Sequence, residues 1–203
     1  MNKEFNIMIT GVGGQGVILM SEILGNAAVK DGLNVRGSEV LGMAARGGSV
    51  TSTIRIGEGV AAPLITAGRC DVLVGMEPAE ALRNIAYLRS STWVIINTES
   101  VLPFTVSVGQ SQYPELKTII EKLSLATDKI IQLNASRIAA DAGSILSANI
   151  SMLGALFGTL EVPIRIETIK EQIGSRFSAN LGPVNFRAFD LGYQEASTLS
   201  HSL

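Results

Sequence analysis

The chain has 203 residues, 46% of them hydrophobic and only 17% charged, which excludes an intrinsically disordered polypeptide and points to a surface partly covered by a partner. A formal net charge of -2 provides no basic field for nucleic acid. One cysteine, Cys70, and one histidine, His201, exclude an internal disulfide and a Cys/His metal cluster, so any iron-sulfur cluster belongs to another chain.

The first residues, Met1 to Phe5, lack the charged-then-apolar run of a signal peptide, and no stretch approaches the roughly 18 apolar residues of a membrane span. With a single thiol, a cytoplasmic chain is expected. Phe5 to Thr10 predicts a buried strand, Gly11 to Gly16 a tight turn, and Val17 to Lys30 a helix with Ile18, Ile23, Leu24 and Ala27 at helical spacing. Asp31-Gly32 stops that helix. Asn34 to Val40 predicts a second strand in parallel pairing, leading into the glycine-rich loop Gly42 to Gly48. Ser49 to Ile56 alternates as a strand and exits at the turn Gly57-Glu58-Gly59.

Cys70 to Met76 and Thr92 to Asn97 read as buried strands around a helix over Ala79 to Arg89, with Pro78 in its first turn. A strand near Phe104 to Val108, a helix over Pro114 to Ala126, a strand near Ile130 to Leu133 and a helix over Ser136 to Ala142 continue the alternation. An apolar helix after Asn149 follows, in which Gly154, Ala155 and Gly158 permit close packing. Helices around Ile166 to Phe177 and Leu181 to Ala196 complete the chain. The expected fold is α/β: one Rossmann-like domain over 1–203, with a mostly parallel sheet flanked by helices and a helical C-terminal part.

Gly11-Val12-Gly13-Gly14-Gln15-Gly16 matches G-x-G-x-x-G between a strand and a helix, where backbone amides and the helix N-terminus favour an anion. The alternative is that these glycines only allow a tight turn and close helix-sheet contact. A dinucleotide site needs an acid at the end of the second strand, and Glu39 is the nearby candidate. In the next loop, Arg46 stands among glycines before Gly47, Gly48 and Ser49, placed to clamp a phosphate or carboxylate or to pair with a partner subunit. Glu77 and Glu80 are explained by the helix N-terminus they flank, and Asn97 by the end of its strand. Cys70 reads as a buried apolar residue and His201 as part of a frayed tail. No catalytic acid, base, nucleophile or metal-ligand set is assigned to this chain.

Several blocks in order, Gly11 to Ala28, Gly42 to Gly57, Cys70 to Arg83, Val94 to Pro103 and Val184 to Tyr193, resemble the gamma-type subunit of 2-oxoacid:ferredoxin oxidoreductases. The Gly42 to Val50 and Glu77 to Ala81 blocks are most similar to the beta subunit of the indolepyruvate type. Leu41 and Ala45 depart from it, standing where arylpyruvate-type relatives often carry histidine and glutamine. The resemblance implies a complex that oxidatively decarboxylates a 2-oxoacid, passes electrons to ferredoxin and forms an acyl-coenzyme A. Thiamine diphosphate and iron-sulfur clusters would reside on a larger partner subunit, and coenzyme A would be used with it. At the C-terminal edge of the sheet, Gly11, Gly13, Gly14, Gln15, Gly16, Arg46, Gly47, Gly48 and Ser49 are expected to line part of the shared active-site mouth and guide coenzyme A, with a role as interface only as the alternative. A homodimer is a further expectation for the isolated chain. Readings from other classes are a stand-alone NAD(P)-binding Rossmann oxidoreductase, based on the glycine turn and Glu39, and a non-enzymatic nucleotide-binding module.

Overall fold

The structure, a computed structural model, describes residues 4–42, 47–102, 106 and 108–202. Strand β1 (Phe5–Val12) and helix α1 (Val17–Lys30) form the first unit, followed by β2 (Val35–Leu41) and β3 (Ser49–Ile56). Then come β4 (Val72–Gly75), α2 (Pro78–Arg83), a 3-10 turn at Ile85–Tyr87, β5 (Trp93–Asn97), α3 (Leu116–Leu123) and β6 (Ile130–Leu133). The C-terminal part consists of α4 (Ala135–Ala142), a 3-10 turn at Ile145–Ser147, α5 (Ala148–Thr159), α6 (Ile166–Arg176) and α7 (Gly182–Ser200). The strand expected near Phe104 to Val108 falls mostly outside the described residues; Val108 itself stands in a turn.

The six strands form one sheet in the order β2-β3-β1-β4-β5-β6. Strands β1, β4, β5 and β6 run parallel, and their apolar runs reflect burial on both faces. Ile7 and Ile9 of β1 join one core with α1, α5 and α7, whereas Met8 joins a second core with Leu73, Val94, Ile96 and residues of α2 and α3. One correction concerns β2. It was expected to pair in parallel, but it pairs antiparallel with β3, which itself inserts antiparallel beside β1. The short loop at 42–48 explains the β2–β3 hairpin, because a parallel return needs a crossover of about a dozen residues or more.

Helix α5 is apolar all round because it is buried on almost every side. A Cβ on Gly154 would lie 2.0 Å from the carbonyl oxygen of Phe189, and one on Gly192 2.0 Å from that of Ser151. The backbones of α5 and α7 therefore touch, as the small residues foretold, and this packed pair fixes the position of α5's N-terminus at the sheet edge.

Candidate functional site

The carboxyl ends of β1, β4 and β5 lie side by side, the location where open α/β sheets bind ligands. Their ends are stitched together by two amide side chains. Gln15 accepts from the Val12 amide at 2.9 Å and donates to the Met76 carbonyl at 3.0 Å. Asn97 donates to the same carbonyl at 3.1 Å and accepts from the Ala135 amide at 3.0 Å, linking β5 to the start of α4. Both side chains thus hold the edge in shape, a role the sequence reading did not assign to either.

The two predicted glycine blocks meet. The Gly13 amide donates to the Gly48 carbonyl at 2.9 Å, and the Gly42 amide to that of Ser49 at 2.7 Å. Gly14 and Gly16 have φ of 101° and 78°, which side chains rarely adopt. A Cβ on Gly16 would also lie 2.4 Å from Asn149 Nδ2. The bland reading holds for Gly16, which permits close packing on α5, whereas a Cβ on Gly14 would have nothing within 4 Å. Helix α1 starts with no side-chain cap and no acidic residue in its first turn, leaving its positive end uncompensated.

Arg46, like Met43 to Ala45, lies outside the described residues. Ser49, at the other side of that loop, donates its hydroxyl to Glu80 at 2.6 Å. Glu80 is buried and also pairs with Arg83 at 3.1 Å. Glu77 is buried as the N-cap of α2, accepting from the Glu80 amide at 2.9 Å and from the Tyr113 hydroxyl. Burial, then the neighbouring Glu77, pushes the Tyr113 hydroxyl well above the usual phenol range. The acids are thus explained by helix capping as expected, and Glu80 in addition ties the Arg46 loop to α2.

Glu39 is exposed and pairs across to Ser52 of β3. With β3 between them, β2 is about 10 Å from β1, so Glu39 is not where a dinucleotide fold holds its ribose acid. This geometry removes Glu39 from the sequence support for NAD(P). Cys70 is fully buried with its thiol 3.1 Å from the Val72 carbonyl, and burial pushes its pKa up to about 12. His201 ends α7 in an exposed position. Among the described residues no group of three His, Cys, Asp or Glu is placed to hold a metal ion, and no helix is long and apolar enough to cross a membrane.

Between the glycine turn and the starts of α4 and α5 lies a pocket of about 220 Å³ whose lining includes Gly14, Glu99, Ser136, Leu146 and Asn149. Larger clefts, of about 550 and 500 Å³, lie at the opposite edge of the sheet around Trp93 and Leu160. Ser136 and Asn149 escaped the sequence reading because neither belongs to a motif. The topology alone brings them to the edge.

Comparison with known proteins matches residues 6–195 to the pyruvate ferredoxin/flavodoxin oxidoreductase family. The chain is 44% identical over 193 residues to the indolepyruvate oxidoreductase subunit IorB of Archaeoglobus fulgidus, covering 95% of this chain and 96% of the relative. It is 39% identical over 200 residues to the subunit of the same name from Pyrococcus horikoshii, covering 97% and 98%. Its fold matches the crystal structure of pyruvate oxidoreductase subunit PORC from Thermotoga maritima with a TM-score of 0.72, 23% identity, and coverage of 95% of this chain and 96% of that one. The chain belongs to the pyruvate ferredoxin/flavodoxin oxidoreductase family.

Proposed function

We propose that this member of the pyruvate ferredoxin/flavodoxin oxidoreductase family is the small subunit of a cytoplasmic 2-oxoacid:ferredoxin oxidoreductase acting on an arylpyruvate such as indolepyruvate. Residues 1–203 serve in it as one domain. The observation that carries this reading is the composition of the carboxyl edge. Val40, Leu41, Val101, Leu102, Ile145 and Leu146 are all between 39% and 88% exposed there, an apolar rim suited to cover by a larger subunit. The 44% identity to an indolepyruvate oxidoreductase subunit supports the substrate class.

The residues of this chain do not suit thiamine diphosphate or an iron-sulfur cluster. Its one cysteine is buried and protonated, and the described residues offer no metal-ligand group. Both groups are assigned to the larger partner, which delivers electrons to ferredoxin. Coenzyme A does suit this edge. Its phosphates need backbone amides and a positive field, which the amides of Gly14 and Gly16, the uncapped end of α1 and Gly47 to Gly48 would provide, with Arg46 as the cation of the same loop. In this role the chain orients the thiol donor and helps exclude water at the mouth of the partner's active site.

The test is an anaerobic affinity purification of the tagged chain, followed by viologen-linked oxidation of indolepyruvate, phenylpyruvate, pyruvate and 2-oxoisovalerate. Recovery of a large iron-sulfur subunit with coenzyme A-dependent activity, fastest on the aryl substrates, is expected. A chain that purifies alone and binds NAD(P) would overturn the proposal. In the recovered complex, Arg46→Ala should raise the KM for coenzyme A about tenfold, the loss of roughly one charge-assisted contact.

A further inference from the structure

We infer that the free edge of β2 is a docking site for an extended segment of the larger subunit, which adds a strand to the six-stranded sheet and presents a lysine or arginine to Glu39. This rests on the subunit reading above and adds to it where the partner binds and with what chemistry. Strand β2 lies at the end of the sheet, and its pairing with β3 fixes which of its backbone groups are already used. The Gly57 amide donates to the Asn34 carbonyl at 3.0 Å and the Gly42 amide to the Ser49 carbonyl at 2.7 Å, in one uninterrupted antiparallel register. Hydrogen-bonded pairs alternate along such a ladder. Asn34, Arg36, Ser38, Val40 and Gly42 therefore bond to β3, and the amides and carbonyls of Val35, Gly37, Glu39 and Leu41 point outward.

Sheet edges are ordinarily blunted against strand addition by shortness, proline, lysine or a bulge. The opposite edge follows that rule, since β6 has only four residues. Strand β2 has seven, with no proline, lysine or bulge. Its one blunting contact lies at its start, where the Arg36 guanidinium donates to the Val35 carbonyl at 2.9 Å. Beyond it, Gly37, Glu39 and Leu41 are exposed, and their outward backbone groups meet no partner among the described residues. A row of open amides and carbonyls is the recognition element of strand addition, in which an extended peptide completes the ladder.

Charge selects the occupant. Glu39 stands opposite Ser52, whose hydroxyl donates to that of Ser21 in α1, so Glu39 and Leu41 lie on the α1 face of the sheet. The Glu39 carboxylate has no ion pair or hydrogen bond among the described residues. A second copy could pair on this edge about a two-fold axis, and the register that engages all four outward residues sets Ser38 opposite Ser38 and Gly37 opposite Glu39 of the copy. The two Glu39 carboxylates would then be diagonal neighbours on one face, about 7–8 Å apart, with no described cation between them. Like charges there repel as they lose water. An extended segment of the larger subunit with a basic residue at that position makes the same carboxylate half of a charge-assisted pair. Its adjoining side chains are apolar, because Val40 and Leu41, on opposite faces, are 61% and 59% exposed and continue the rim assigned to the larger subunit.

The test measures residue-level hydrogen exchange across β2 in the complex purified through this chain. The outward amides of Gly37, Glu39 and Leu41 should exchange at least about a hundredfold more slowly than open edge amides, as slowly as those of Ser38 and Val40. Two variants probe the same edge. Glu39→Pro removes one outward donor and the charge without touching a bond to β3, and Glu39→Lys reverses the charge while keeping every backbone group. Each should raise the apparent Kd for the larger subunit at least about tenfold; if the proline variant does not fold, Glu39→Lys alone decides. Fast exchange of the outward amides in the wild-type complex, or an unchanged Kd for Glu39→Lys, would overturn the inference and leave the subunit reading standing. Slow exchange of those amides in a dimer of this chain free of the larger subunit, identified by light scattering, would overturn it in favour of the second copy. Recovery of no larger subunit at all would overturn the subunit reading and this inference with it.

Discussion

The two ends of helix α1 are built on opposite plans. At its C-terminus the closing turn is hydrogen-bonded: the amides of Asp31, Gly32 and Leu33 donate to the carbonyls of Ala27, Val29 and Ala28. The Asp31 carboxylate accepts from the backbone and guanidinium of Arg165, at 2.7 to 3.0 Å, and from the Thr168 hydroxyl at 2.6 Å. At its N-terminus, Gly16 provides no side-chain cap and the first turn no acid. Stability is concentrated at one end and unfilled donor capacity at the other, so substitutions at the two ends should fail in different assays.

The largest effect is expected where the open end is not sterically open. Gly16→Ala combines a φ of 78° with a Cβ placed 2.4 Å from the Asn149 amide. Strain and overpacking together should destabilise the chain by about 3 kcal/mol, read as a lower denaturant midpoint with an unchanged slope. A destabilisation confined to a few tenths would mean that the glycine turn is not pinned on α5, and the comparison would break. Gly14→Ala comes next. It has nothing within 4 Å but keeps the unfavourable φ of 101°, so it should cost only about 1 kcal/mol. In the assembled complex the same change should raise the KM for coenzyme A about tenfold, with little change in the kcat. Unaltered KM would show that the turn is structural only.

The α/β alternation was legible because buried strands such as Val72–Gly75 and Trp93–Asn97 are unbroken apolar runs and α1 keeps its helical period. The strand order was not. Nothing local distinguishes a β3 that inserts beside β1 from one that lies outside β2, since both arrangements satisfy the same alternation. That single insertion moved Glu39 away from the site. The glycine blocks were legible as a pair, and they do touch through Gly13 and Gly48. Asn149 and Ser136 were not, because their place depends on α5 packing against α7 through glycine contacts that only the tertiary structure reveals. Glu80 was legible as a helix-start acid but not as the acceptor of Ser49.

The smallest effect tests the closed end by pH. Arg165, first of all, and then Thr168 hold the Asp31 carboxyl at about 2, against an ordinary 3.8. A carboxyl group with a lowered folded pKa contributes stability that is fully present above the unfolded value and is lost as pH falls through the folded one. For Asp31 that window runs from about pH 4 down to about pH 2. Because Arg165 is largely exposed, the contribution at neutral pH is modest: Asp31→Asn should cost about 1 kcal/mol, a fall in Tm of about 2–4 °C for a chain of this size. Thermal unfolding followed from pH 7 to pH 2 should show the wild type and the variant converging at the acidic end as the wild-type carboxylate is protonated. The variant should leave the KM for coenzyme A unchanged, since the residue it alters lies a full helix length, about 21 Å, from the glycine turn. A persistent gap at pH 2 would mean that Asp31 contributes through packing rather than charge, and a shifted KM would mean that the two ends of α1 are coupled.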